Sequence, residues 1–173
     1  MTPDAGNIAW NPIDHWLPGR ALATPQLPLP PLLGFDTVLD LSADGGRFGL
    51  GGAAASKDVA NLGWMFERHF PGDPVVPGTW LLDALLQLTG LYAAFVGMAG
   101  RGRAARVGGV RFLREVTPDT GTLHYGVTIR RLHRAAQIVV ADGEVRSDGG
   151  PCLMASGLCV AILPKEASLT ATG

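Results

Sequence analysis

Thr79-Trp-Leu-Leu-Asp83-Ala-Leu-Leu-Gln87-Leu-Thr-Gly90-Leu-Tyr-Ala-Ala-Phe-Val-Gly97 is the longest apolar segment of the chain, and the fold turns on what it is. Its length approaches that of a membrane span. Asp83 and Gln87 lie four residues apart on one helical face, and an ionised carboxylate in hydrocarbon is costly. Pro71, Pro74, Pro77 and Gly78 crowd one end, and no flanking lysines anchor it. A helix apolar almost all round, with one polar stripe, is expected instead to be buried inside a soluble domain.

Beyond Gly100 the periodicity switches to two. In Thr122–Arg131, Leu123, Tyr125, Val127 and Ile129 share one face, while Thr122, His124, Thr128 and Arg130 share the other. That alternation predicts a half-buried antiparallel strand. Further strands fit Val107–Leu113, Ala136–Arg146 and Cys152–Leu163. Ahead of the helix, Asp36–Leu41 and Arg47–Ala55 are joined by a turn at Gly45-Gly46. Two short strands, one long buried helix and four longer strands predict an α+β fold, an antiparallel sheet wrapped around a central helix. Residues 35–164 form that single domain. Residues 1–34 hold Pro12, Pro18, Pro25, Pro28, Pro30 and Pro31, so they are expected to pack along it as an arm with at most a short helix at Asn11–Leu17. Residues 165–173 are a short tail.

Composition narrows the function. With 47% apolar and 17% charged residues among 173, a disordered chain is excluded. Twenty-four Gly and 13 Pro are too many for a helical bundle. A net charge of −1 argues against wholesale nucleic-acid binding. So low a charge also hints that a second copy covers part of the apolar surface. The N-terminus has no basic stretch followed by an apolar run, so no secretory signal is expected. Cys152 and Cys159 fall seven apart in one predicted strand, on opposite faces and out of disulfide reach, which fits free thiols in the cytoplasm. His15, His69, His124 and His133 pair with no Cys at ligand spacing, so no metal is expected.

The segment that carries chemistry is His69-Phe-Pro-Gly-Asp73-Pro-Val-Val-Pro77-Gly78-Thr79-Trp-Leu-Leu-Asp83. Its prolines and glycines fix an extended path, and Pro77-Gly78 suits the central positions of a type II turn. The helix begins directly after it, where backbone N–H groups have no intrahelical partners. Gly78 lacks a side chain, so a ligand carbonyl can approach its N–H closely. One imidazole, one carboxylate a turn into the helix and one donor for developing negative charge are the elements of a site. Each also has a plainer reading: a structural histidine, a helix-start aspartate, a tight loop.

His69-Phe-Pro-Gly-Asp-Pro-Val-Val-Pro-Gly through Asp83-Ala-Leu-Leu-Gln87-Leu resembles the active-site segment of the bacterial 3-hydroxydecanoyl-acyl-carrier-protein dehydratase/isomerase family, which has the hot-dog fold of thioester enzymes. The resemblance extends over about residues 20–163, including Val107-Gly-Gly-Val-Arg-Phe112 and Ala141-Asp-Gly-Glu-Val145. It implies that His69 is the general base removing the C2 proton of a 3-hydroxyacyl thioester. Asp83 is then the acid that assists departure of the C3 hydroxyl, and the Gly78 N–H holds the thioester carbonyl. It further implies a homodimer with a continuous sheet, whose two catalytic side chains come from different subunits. No cofactor is implied. Phe70, Val76, Thr79, Trp80, Leu81, Leu86 and Gln87 are expected around an acyl tunnel that buries Asp83. Thr79 stands where the family usually has Cys, Leu81 replaces Gly and Leu86 replaces Trp, which reshapes that tunnel. A dehydratase that does not isomerise, working in polyketide or specialised lipid assembly, and a non-catalytic acyl-thioester-binding protein are the alternatives.

Charge is unevenly placed. Between Gly97 and Arg134 eight arginines face only Glu115 and Asp119, a local sum of +6. Acyl carrier proteins are acidic, so Arg101, Arg103, Arg130, Arg131 and Arg134 are expected to steer one toward the tunnel mouth, unless they are ordinary solvated strand-face residues.

Overall fold

A computed structural model describes residues 27–164. Strands β1 (Thr37–Ser42) and β2 (Gly52–Asp58) lead through a short helix α1 (Gly63–Phe66) to the central helix α2 (Gly78–Phe95). Five strands follow: β3 (Arg101–Arg106), β4 (Gly109–Phe112), β5 (Thr122–His133), β6 (Ile138–Ser147) and β7 (Gly150–Leu163). All pair antiparallel in one seven-stranded sheet ordered β1-β2-β5-β6-β7-β3, with β4 also on β7. The helix lies against the middle of this sheet.

Burial explains the arrangement. Leu81, Ala84, Leu85, Leu88, Leu91 and Tyr92 of α2 are all buried, as are Leu123, Tyr125, Val127 and Ile129 of β5. The helix seats closely because β6 carries Gly143, where a Cβ would press on Leu85 and Leu158. Gly97 takes the left-handed conformation at φ 86° and ends the helix. Its N–H bonds Ala94 O, and the Met98 N–H bonds Ala93 O, satisfying terminal carbonyls. Arg134 caps the same end through Nη1 to Val96 O at 3.0 Å. No helix among the described residues is long and apolar enough to cross a membrane.

Two strands differ from expectation. β2 begins five residues late, because Gly45, Gly46, Gly49 and Gly51 all have positive φ and extend the turn. It runs on to Asp58, because the buried Lys57 is paired with Asp36 at 2.7 Å. Strand β3 has no signal in the periodicity, although Gly102-Arg103-Ala104 is among the residues that resemble the family's later strands. Gly102 and Ala104 oppose Ile162 and Val160 and are too small to register as an apolar alternation. Cys152 is buried, Cys159 partly so, and both are free thiols. Of the N-terminal arm, residues 27–34 are described, and Leu32 and Gly34 meet Gln87 of α2; the remainder, with Asn11–Leu17, and the tail lie outside the described residues.

Candidate active site

His69 follows α1 on the loop that leads into α2. Its N–H is bonded to Met65 O, and its carbonyl accepts from Val75 N, closing the loop on itself. The ring Nδ1 lies 2.9 Å from Val75 O. A carbonyl oxygen only accepts, so Nδ1 is the donor, and in the neutral ring Nε2 then presents its lone pair. Phe70 is exposed and stacks on the imidazole, with ring centroids 3.9 Å apart. Trp64, Met65, Pro77, Thr79 and Trp80 wall a cleft of about 480 Å³ beside the ring.

Gly78 opens α2, and its N–H has no hydrogen-bond partner among the described residues. The type II turn is a correction. Pro77 has the φ and ψ of its first central position, −55° and 124°, but Gly78 does not adopt the positive φ the second requires. What glycine supplies is room: a Cβ here would sit 2.5 and 2.6 Å from two ring carbons of Phe112. Phe112, on β4, is itself 59% exposed. Sequence reasoning missed this contact, and no local signal in the chain announces it.

Asp83 is exposed in the single chain rather than buried. Gln87, one turn on, donates to Asp83 Oδ2 at 2.6 Å and to Leu32 O at 3.1 Å. Its Oε1 accepts from Gly34 N at 2.9 Å. Gly34 comes so near the helix that a Cβ would collide with Ala84. Gln87 thus clamps the arm and orients the carboxylate together. Asp83, Leu86 and Gln87 line a second cleft, of about 300 Å³, between α2 and the β3 edge.

Within one chain the expected residues therefore fall into two groups. His69, Thr79 and Trp80 line one cleft, while Asp83, Leu86 and Gln87 line another that shares no residue with it. Val76 and Leu81 are instead part of the hydrophobic core. Of the arginines, Arg103 lines the Asp83 cleft. Arg130 pairs with Asp142 at 3.3 Å, Arg134 caps α2, Arg131 is exposed and Arg101 is half-buried. Among the described residues no three His, Cys, Asp or Glu side chains gather where a metal could sit.

A family model described as a FabA-like domain matches residues 27–155. Among solved structures, the chain is similar to the dehydratase heterocomplex ApeI:P from Xenorhabdus doucetiae, at 13% identity and a TM-score of 0.64, over 84% of this chain and 93% of that one. It is also similar to a hypothetical thioesterase with coenzyme A from Streptococcus pneumoniae TIGR4, at 11% identity and 0.54, over 76% and 88%. AziG of S. sahachiroi matches at 15% identity and 0.54, over 75% and 92%. At such identities the likeness shows the fold alone, and that fold is the hot-dog fold.

Proposed function

The chain belongs to the FabA-like domain family, and on that footing we propose that it dehydrates 3-hydroxyacyl thioesters carried on acyl carrier protein to trans-2-enoyl thioesters. The observation that carries this reading is the bond from His69 Nδ1 to Val75 O, which leaves Nε2 as a base. That nitrogen takes the C2 proton. The electron pair of the C–H bond becomes the C2–C3 double bond, and the charge that builds on the thioester oxygen meets the free Gly78 N–H. Hydroxide is a poor leaving group, so the C3 oxygen departs as water with a proton from Asp83. Dehydration involves no net oxidation or reduction, and the proposal needs no cofactor.

Each active site draws His69 from one copy and Asp83 from a second. Three features support this. The two residues line separate clefts. Among the described residues, strands β3 and β4 form an edge that pairs only with β7, open to extension by a partner strand. Phe112 and Leu113 expose apolar surface beside that edge. Arg103, at the Asp83 cleft, would meet an acidic carrier in the cytoplasm, and Arg101, Arg130, Arg131 and Arg134 are further candidates that do not line that cleft. The test is product analysis with 3-hydroxydecanoyl thioester. A trans-2-enoyl product is expected; recovery of unchanged substrate at every enzyme concentration would refute the reading. Thr79 and Leu86, which line the two clefts and depart from the family, favour a second reading in which no cis-3 isomer forms; isomer analysis of the same product decides it.

A further inference from the structure

We propose that Phe70 is a positioning residue for His69: its ring lies on one face of the imidazole and keeps that ring on Val75 O, with Nε2 aimed at the cleft. This rests on the dehydratase reading above, which makes Nε2 the base.

One hydrogen bond does not fix an imidazole. The bond from Nδ1 to Val75 O holds a single edge. The torsion between Cβ and the ring is broad, so the ring is free to turn away from its acceptor unless something blocks it. Phe70 blocks it. The two ring centroids stand 3.9 Å apart, with 28° between the planes. That is ordinary carbon–carbon contact distance, so no water or substrate fits between the faces. Turning the imidazole would drive its edge into the phenyl ring.

A tight turn puts the phenyl ring there. The Phe70 N–H donates to Asp73 O and the Asp73 N–H to Phe70 O, both at 2.9 Å. The Val75 N–H donates to His69 O at the same distance. Proline fixes a negative φ at Pro71, and Gly72 has φ 86°, so these two residues make the type II turn that Pro77-Gly78 does not. Residues 69–75 are thus one closed unit that carries both rings. Burial does not hold Phe70, since 53% of it is exposed. A lone exposed phenylalanine would mean nothing by itself. One seated on the proposed base by its own turn does.

The stack also acts during the reaction. When Nε2 takes the C2 proton the imidazole becomes a cation, and the negative face of an aromatic ring attracts it.

The test compares the full chain with Phe70→Leu and Phe70→Tyr on 3-hydroxydecanoyl thioester. Leucine stays apolar but removes the flat face; tyrosine restores the face, and at an exposed position its hydroxyl reaches solvent. Phe70→Leu is expected to lower kcat about 10- to 100-fold, the order that a misplacement of about 1 Å costs, with KM held within about twofold. Phe70→Tyr returns kcat to within about twofold of the unmodified chain. Melting temperature and dimer content by sedimentation stay unchanged in both. Nitrogen NMR of the histidine rings reads the same claim without turnover, with His69 assigned by its loss in His69→Ala. The unmodified chain shows the Nδ1–H tautomer, and Phe70→Leu a mixture of the two. An unchanged kcat in Phe70→Leu, a loss that Phe70→Tyr does not recover, a loss that follows dimer dissociation, or an unchanged tautomer would each overturn the proposal. Failure of the dehydratase reading looks different: the unmodified chain then turns over no thioester, and the ring spectra alone decide whether Phe70 positions His69.

Discussion

His69 and Asp83, the proposed base and acid, are held in opposite ways. His69 sits on a loop, and a backbone carbonyl fixes its ring. Asp83 sits on a helix backed by the whole sheet, and a side chain, Gln87, fixes its carboxylate. The loop half depends on local geometry between residues 69 and 75. The helix half depends on long-range ties, because Gln87 also holds Leu32 and Gly34. Each half is organised inside its own chain, so in the proposed dimer the two copies need only be aligned.

Breaking either group should cost most. His69→Ala is expected to lower kcat by about 10² to 10⁴, the usual worth of a general base, with little change in melting temperature because the ring is only half-buried. Rates and melting curves on the same preparation check both parts. Asp83→Asn should match it if the halves contribute equally.

Further from the chemistry, Asp36 anchors the arm that Gln87 grips. Its carboxylate accepts from Lys57, Asn61 and the Asp58 N–H. Burial pushes its pKa up, but these bonds outweigh burial and leave it below the ordinary carboxylate value. Asp36→Asn leaves the buried Lys57 without a counter-charge and should cost about 3 kcal/mol at neutral pH. The sign follows from the lowered value. The stabilisation is complete above about pH 3.9 and is lost as pH falls through the depressed pKa. Denaturant titrations of both proteins should therefore converge in acid; a constant gap would contradict this.

Gln87→Leu should distinguish the halves more finely. It unpairs the Gly34 N–H and Leu32 O, an expected loss of about 1–3 kcal/mol, and lowers kcat while the His69–Val75 bond is untouched. A kcat unchanged within error, at temperatures where the variant is folded, would remove Gln87 from the positioning role. The smallest effect is expected at Tyr125, which is buried, its hydroxyl without a hydrogen-bond partner among the described residues. Tyr125→Phe should leave stability unchanged or raise it by up to about 1 kcal/mol; a clear loss would mean the hydroxyl is satisfied.

Much of this was legible in the chain. The helix was, because Thr79–Gly97 is a long apolar run with Asp83 and Gln87 as one polar stripe, beginning directly after Pro77-Gly78. Strands β5, β6 and β7 were, because their alternation is long. β3 was not, since an edge strand that walls a cleft uses Gly102 and Ala104, and small residues carry no hydrophobic period. The His69 loop could be read as an extended path, but the reason for Gly78 could not. That reason is Phe112, 34 residues away on another element. Nor could sequence assign Gln87 its double grip, which depends on where residues 32–34 pass the helix.

Complementation between two inactive variants tests the shared site most directly. His69→Ala and Asp83→Asn chains would be unfolded together, refolded and assayed on a 3-hydroxyacyl thioester. Random pairing makes half the dimers mixed, and each mixed dimer has one intact site of two, so about a quarter of the unmodified activity should return. Activity no higher than either variant alone, with mixed dimers present by native mass spectrometry, would contradict the account.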